Sequence, residues 1–157
     1  MGVPGRWYER MPHFKMGFKP STGKELQSEY FVPIEHAYRA MMAIETLHEK
    51  ITPVLYITEI RTVKADDLWL SPCYQQDCIA FHFTWKQQVE VVNEVVSQIE
   101  QLLLPFKARP HWAKVYTLSP KVLQSRYPKL NDFKSLVAKW DPNGKFRNDY
   151  IQKNLYN

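Results

Sequence analysis

Glycine is scarce in this chain, with five residues among 157, and neither common glycine-rich phosphate-binding pattern occurs. This scarcity argues against a nucleotide-binding loop, because such loops use glycine to bring the backbone close to a phosphate.

Cysteine is scarcer still: Cys73 and Cys78 are the only two, and four residues separate them. One such pair lacks the second half of a zinc site, so no metal site is predicted. A disulfide between them is sterically allowed but not indicated.

Long apolar runs and concentrated positive charge are also missing. No apolar stretch approaches the roughly 20 residues that cross a bilayer, and no apolar secretion signal follows Met1. We therefore expect no transmembrane segment and a cytoplasmic location.

The net charge is +5, but Lys and Arg are spread along the chain without a run of five. This pattern is typical of a solvated basic surface, or of a surface that complements an acidic partner or another domain, and it argues against nucleic-acid binding.

The length of 157 residues is that of one domain, which could bury roughly two-thirds of its unfolded surface. Residues 1–24 contain several Pro and Gly residues and are predicted to form an irregular lead-in or interdomain segment. Its aromatic residues are too apolar for a free tail, so we expect them to lie against another surface; they are Trp7, Tyr8, Phe14 and Phe18. Residues 25–157 form the predicted folded domain.

Alternating and helical hydrophobic periodicities predict the elements of this domain. Strands are predicted at residues 26–32, 54–63, 79–85 and 115–118. Helices are predicted at about 37–50, at 89–104, from about 120 onward, and at 130–140. This order favours an α+β fold with a mostly antiparallel sheet, helices packed on one face, and the other face open to a ligand.

Two predicted strands each contain a polar pair at a two-residue spacing. Glu59 and Arg61 form one pair, and His82 and Thr84 form the other. Successive strand side chains point to opposite faces, so each pair shares a face. An acid, a guanidinium, an imidazole and a hydroxyl on one face suit a polyhydroxylated ligand. The alternative is a surface Glu–Arg ion pair with a His and a Thr that happen to face solvent.

Prolines flank a segment that ends at Lys114. Pro105 precedes it and Pro110 lies inside it, so the backbone there is predicted to be extended and fixed in position. A lysine in such a segment can donate to a substrate oxygen or, if desolvated, take part in proton transfer. The alternative is an exposed cation, and His111 and Trp112 would ordinarily be packing residues.

Six ordered motifs make the chain similar to a known family. They are QSEYFVP at 27–33, TEIRTV at 58–63, DDLWLSP at 66–72, HFTW at 82–85, RPHWAK at 109–114 and DPNGKFRN at 141–148. Across essentially its whole length the chain resembles the C-terminal substrate (cap) domain of flavin-dependent alditol (xylitol) oxidases, within the vanillyl-alcohol oxidase family. The related D-arabinono-1,4-lactone and L-gulonolactone oxidases share several of these motifs, whereas HFTW is typical of the alditol oxidases.

The resemblance implies a role for each candidate site residue. Lys114 and His82 would be the catalytic residues that position and polarise the reacting alcohol. Glu59, Arg61 and Thr84, together with Lys114, would bind the substrate hydroxyls. His111 matches a residue that contacts the flavin. The sequence leaves open which group accepts the proton.

The resemblance also implies an activity and a partner. Such enzymes oxidise the terminal hydroxyl of alditols such as xylitol or sorbitol with oxygen, giving an aldose and hydrogen peroxide. Their FAD is held mainly by an N-terminal FAD-binding domain, which these 157 residues do not supply. We therefore expect the chain alone to be inactive and to need that domain as its partner. The alternatives are the C-terminal domain of an aldonolactone oxidase, a non-catalytic polyol-binding or structural module and, with least support, a nucleic-acid binder.

Overall fold

Four strands form one antiparallel sheet at the centre of the molecule. The computed structural model describes residues 3–10 and 23–157, so the predictions for Phe14 and Phe18 lie outside the described residues. The strands are β1 (Leu26–Pro33), β2 (Leu55–Val63), β3 (Cys78–Trp85) and β4 (Arg109–Pro110). Their spatial order is β2-β3-β1-β4, and every neighbouring pair is antiparallel.

The described residues also form helices. They are α1 (Trp7–Arg10), α2 (Ala37–Glu45), α3 (His48–Ile51), α4 (Val89–Leu103), α5 (Pro120–Gln124), α6 (Leu130–Trp140) and α7 (Asp149–Ile151). Short 3-10 turns span Ile34–His36, Thr52–Val54 and Leu104–Phe106, and a π-helical turn spans Gln152–Tyr156. The predicted α+β class with an antiparallel sheet is confirmed.

The main core lies between the sheet and helices α2 and α4. Phe81, Phe83 and Trp85 project from β3 toward this side, and Trp85 is completely buried. Helix α4 contributes Val92 and Ile99 to the same cluster. The strict alternation in β3 explains the arrangement, because the residues between these aromatics must project to the opposite face. We call the two sides the helix face and the open face.

A β-bulge interrupts the alternation at the start of β2. Strict alternation would place Leu55 and Ile57 on the same face as Glu59, but the pairing register shifts between Leu55 and Ile57. Leu55 packs against the main core, whereas Ile57 lies on the open face with 57% of its surface exposed. The extra residue in the bulge reverses the side to which the following residues point.

The predicted strand at 115–118 is wrong, because those residues form no strand. The backbone N–H of Thr117 donates to the buried side chain of Glu100 at 2.9 Å, so it is not available to a sheet. The predicted helix at 37–50 is interrupted after Glu45. There the hydroxyl of Thr46 donates to the Ala43 carbonyl at 2.7 Å, which competes with regular helical bonding.

A second core joins the C-terminal helices to the turn after β4. Trp112 packs against Tyr127 and donates from Nε1 to the Leu70 carbonyl at 2.9 Å. The buried Arg109 donates to the carbonyls of Pro72 and Arg126, at 2.9 and 3.0 Å. These bonds fix the loop between β2 and β3 and hold the turn that follows β4. Within the described residues, no helix combines the length and apolar character needed to cross a bilayer.

The loop between β2 and β3 covers one end of the open face. Cys73 from this loop packs against Phe31, Cys78 and Ala80, and both cysteines are free thiols. The uncovered end of the same face contains the early residues of β1 and the late residues of β3. The polar side chains of the candidate site lie there.

Candidate functional site

The strand register aligns three polar side chains across the open face. Glu59 of β2 is paired with His82 of β3, and His82 is paired with Glu29 of β1. The next row toward the uncovered end contains Ile57, Thr84 and Gln27. Arg61 lies two residues beyond Glu59 on the same strand and face. Glu59, Arg61, His82 and Thr84 therefore share one face, as their spacing predicted.

Lys114 reaches this face from the turn after β4. The His111 N–H donates to the Glu29 carbonyl at 2.9 Å, and the Val115 N–H donates to the Gln27 carbonyl at 2.8 Å. Between these two bonds the chain turns, and the Lys114 N–H donates to the His111 carbonyl at 3.1 Å. The turn is thus attached to β1 on both sides, and it directs the Lys114 side chain over the strand.

Glu29 is the centre of the charged cluster. Its carboxylate is 6% exposed and accepts from Arg61 Nη1 at 2.9 Å and from Lys114 Nζ at 2.6 Å. Arg61 also donates from Nη2 to Glu59, which is 40% exposed. Burial alone would raise the pKa of Glu29. The Lys114 hydrogen bond and the nearby charges of Lys114, His82 and Arg61 outweigh that effect, so the Glu29 pKa lies below its ordinary value.

His82 is a buried imidazole next to these charges, with only 5% of its surface exposed. Its Nε2 lies 3.3 Å from Gln27 Oε1. Its Nδ1 lies 3.2 Å from Glu59 Oε2, but the angle does not make a hydrogen bond, and no described group bonds this nitrogen. Burial, followed by the charge of Lys114, lowers the His82 pKa below its ordinary value. The lowered pKa favours the neutral imidazole, and the buried Nδ1 of His82 has no hydrogen-bond partner among the described residues.

His111 borders a cleft beside the cluster. Its ring stacks on Phe31 with centroids 6.4 Å apart, and its Nδ1 accepts from the Ala113 N–H at 3.1 Å. Burial and the Lys114 charge lower the pKa of His111 as well. The cleft has a volume of about 440 Å³ and runs along the start of β1. Its walls are formed by Glu25, Leu26, Gln27, His111, Ala113, Lys114 and Val115.

The prediction missed two residues of this site, Gln27 and Glu29. Both lie on the open face of β1, two residues apart, which is the same spacing that identified the pairs on β2 and β3. Applied to β1, that signal would have found them. The central position of Glu29 was not visible in the sequence, because it depends on the pairing of β1 with β3.

The site offers a charge-balanced set of donors and acceptors. Two cations and two carboxylates form one connected network, and the His82 imidazole lies beside it. Hydroxyl groups both donate and accept, so a polyol can bond with the accessible members of this set, Glu59, Arg61 and Lys114. Among the described residues, no group of three or more His, Cys, Asp or Glu side chains is arranged so that it could hold a metal ion.

Comparisons with known proteins agree with this chemistry. The family model described as D-arabinono-1,4-lactone oxidase matches residues 18–154. An alditol oxidase from Streptomyces sp. is 47% identical over 151 residues, covering 96% of this chain and 36% of that protein. The L-gulonolactone oxidase of Mus musculus is 29% identical over 139 residues, covering 85% and 31% respectively.

An L-gulono-1,4-lactone dehydrogenase from Mycobacterium tuberculosis is also similar, at 29% identity over 132 residues, covering 82% of this chain and 30% of that protein. The chain thus spans about a third of the length of these relatives. The resemblance to alditol oxidases and to the related aldonolactone oxidases is confirmed. The roles of Lys114, His82, Glu59, Arg61, Thr84 and His111 stay predictions.

Proposed function

The chain belongs to the D-arabinono-1,4-lactone oxidase family, and from that premise we propose that it is the substrate (cap) domain of an FAD-dependent alditol oxidase. The proposed substrate is an alditol such as xylitol or sorbitol, oxidised at its terminal hydroxyl with oxygen to an aldose and hydrogen peroxide. The proposed partner is an N-terminal FAD-binding domain, in the same or a separate chain. The cap domain extends over residues 25–157 in this proposal.

One observation carries the proposal: five chemically complementary side chains converge on the uncovered end of the open face. They are Glu29, Glu59, Arg61, His82 and Lys114. Their charges are paired with one another, so no bound counterion is needed to keep them on an accessible surface. An uncharged ligand with several hydroxyls can exchange bonds with such a network without leaving a charge unpaired.

The half-exposed members bind the hydroxyls that do not react. Arg61 is 45% exposed and donates, while Glu59 beside it accepts. Thr84 lies one row further along β3 and can do both. Three such contacts on one rigid sheet fix the orientation of a flexible polyol, which is the main contribution a substrate domain makes to rate.

Lys114 and His82 hold the reacting hydroxyl. The Lys114 ammonium donates a hydrogen bond to that oxygen and stabilises the negative charge that develops there. When His82 Nε2 donates to Gln27, the lone pair of the neutral imidazole is on Nδ1, the buried atom without a partner. In this proposal the neutral His82 imidazole accepts the hydroxyl proton.

The proposed FAD supplies the hydride acceptor for the reacting carbon. The residues present fit such a group: the His111 ring borders an accessible cleft next to Lys114, and the buried His82 Nδ1 has no hydrogen-bond partner among the described residues. His111 would contact the cofactor, and the partner domain would hold most of it.

A chimeric enzyme tests the proposal. The corresponding third of the Streptomyces alditol oxidase is replaced by this chain, and peroxide formation from xylitol is measured. We expect turnover, and we expect Lys114→Met to lower it by about 10²-fold or more. Lys129→Met is the matched control, because Lys129 pairs with Asp132 on the surface, away from the site. Unchanged peroxide production by the Lys114→Met enzyme would contradict the role of Lys114.

An aldonolactone is the second candidate substrate, because the matching family model is described as D-arabinono-1,4-lactone oxidase. The same chimera distinguishes the two by comparing kcat/KM for xylitol with that for D-arabinono-1,4-lactone. A higher value for xylitol supports the alditol proposal, and a higher value for the lactone replaces it. An inactive chimera whose isolated chain still binds xylitol would indicate a non-catalytic polyol-binding module.

A further inference from the structure

Glu29 holds two cations that come from different parts of the fold. Arg61 approaches from strand β2 and bonds one carboxylate oxygen, and Lys114 approaches from the turn after β4 and bonds the other. The backbone carbonyl of Glu29 also accepts from His111, in the same turn. Glu29 of β1 thus connects strand β2, through Arg61, with the turn after β4, through Lys114 and His111.

This arrangement restricts side chains that are otherwise flexible. Arg61 and Lys114 are long, and each can adopt many rotamers when it extends into solvent. Glu29 is 6% exposed and fixed within the central region of the sheet, so its two oxygens define where the cationic groups lie. The donor groups are therefore already oriented before a ligand binds. The binding free energy is not reduced by the entropy cost of ordering these side chains.

The same carboxylate sets the charge of the site. Arg61 and Lys114 contribute two positive charges, and Glu29 and Glu59 contribute two negative charges. His82 is neutral, so the formal sum is zero. Without the Glu29 charge the site would be positive, and an anionic sugar acid would gain an attraction that an uncharged polyol does not.

We propose that Glu29 is a positioning residue that orients Lys114 and Arg61 and, by balancing their charge, makes the site selective for uncharged polyols over sugar acids. The selectivity part rests on the function proposed above. The positioning part rests on the contacts of Glu29 alone. Glu29 acts through its two cationic partners and is not itself a catalytic residue.

The selectivity is tested with two probes of similar size, xylitol and xylonate, titrated into the 157-residue chain by NMR. The wild-type chain is expected to bind xylitol more tightly than xylonate. Glu29→Gln keeps the shape of the side chain but removes its charge. We expect roughly tenfold weaker xylitol binding and a reversed preference, because the hydrogen bonds lost are charge-assisted. Asp132→Asn is the matched control, since it removes the same charge from a surface pair with Lys129.

The positioning is tested from the cation side. In Lys114→Met the Glu29 carboxyl loses a hydrogen bond and a positive charge, so its pKa, followed by carbon NMR of labelled glutamate, should rise. This measurement tests the positioning role of Glu29 even if the Glu29→Gln chain does not fold. If the pKa of Glu29 in Lys114→Met equals its value in the wild-type chain, Glu29 is not the positioning residue proposed here. If a folded Glu29→Gln chain has the wild-type ratio of xylitol affinity to xylonate affinity, the proposed role of Glu29 in selectivity is wrong.

The two proposals fail in different ways. A wild-type chain that binds neither probe contradicts the proposed function and the selectivity drawn from it. The pKa measurement on Glu29 then still tests whether Glu29 orients Lys114, because that measurement needs no ligand.

Discussion

The two faces of one sheet differ in almost every physical respect although the same strands form both. On the helix face, Phe83 and Trp85 of β3 stack with ring centroids 5.0 Å apart and are buried under the helices. On the open face of the same strand, His82 and Thr84 lie among charged residues that solvent can reach. The alternation of β3 produces both surfaces within a few residues.

This difference separates stability from binding. Removing a buried aromatic group loses transfer free energy and leaves a cavity, whereas changing an accessible ion pair costs little unless one partner is buried. The helix face should therefore control unfolding, and the open face should control recognition. Glu29 is the exception on the open face, because its carboxylate is buried while its partners are not.

The largest expected effect is on the helix face. Trp85→Ala removes a completely buried side chain and its 2.8 Å hydrogen bond to Ser28. We expect the free energy of unfolding to fall by about 3–5 kcal/mol in a urea titration. Trp85→Phe, which keeps a ring in the core, should cost clearly less. A loss below about 1 kcal/mol in Trp85→Ala would show that the helix face is not the main source of stability.

Two buried carboxylates, one on each side, should respond oppositely to acid. Glu100 accepts from Tyr30 at 2.9 Å on the helix face, and burial raises its pKa despite this bond and those from Thr117. The pKa of Glu29 on the open face is lowered, because its cationic partners outweigh its burial. The unfolded chain gives both groups a pKa of about 4.3.

The sign of each effect follows from proton linkage. A lowered folded pKa gives stability that is present above about pH 4.3 and is lost as the pH falls further. A raised folded pKa reduces stability as the pH rises from about 4.3 through the folded value. Compared with the wild-type chain, Glu29→Gln should therefore lower the free energy of unfolding most near neutral pH and least in acid. Glu100→Gln should show the opposite trend, so its free energy of unfolding should compare best with that of the wild-type chain near neutral pH. Urea titrations between about pH 2 and 7 cover both the loss of the Glu29 contribution below about pH 4.3 and the Glu100 effect above it, and parallel slopes would contradict the assignment.

Much of this comparison could be predicted from the sequence, because it depends on local patterns. The alternation of residues 79–85 predicted β3 and its two faces, and the helical spacing of 89–104 predicted α4. The two-residue spacing placed Glu59 with Arg61 on one face of β2 and His82 with Thr84 on one face of β3, and the pairing of the two strands brings both pairs to the same face of the sheet. The structure confirms these placements.

The remaining features depend on contacts between distant segments. The bulge after Leu55 puts Leu55 on the face opposite to Ile57 and Glu59, and no local sequence pattern indicates it. Residues 115–118 are as apolar as a strand, but Thr117 bonds to the Glu100 side chain instead of a neighbouring strand. The importance of Glu29 appears only when β1 pairs with β3 and the turn after β4 brings Lys114 above it.

The most direct test of the account is to locate the polyol on the isotope-labelled wild-type chain by NMR during a xylitol titration. If the open face is the binding surface, the largest shift changes will occur at Glu59, Arg61, His82 and Lys114. The helix face provides an internal comparison, because a groove of about 220 Å³ there is bordered by Met41, Ile44 and Phe83, among others. Shift changes concentrated at that groove, or none at the open face at saturating xylitol, would contradict the account.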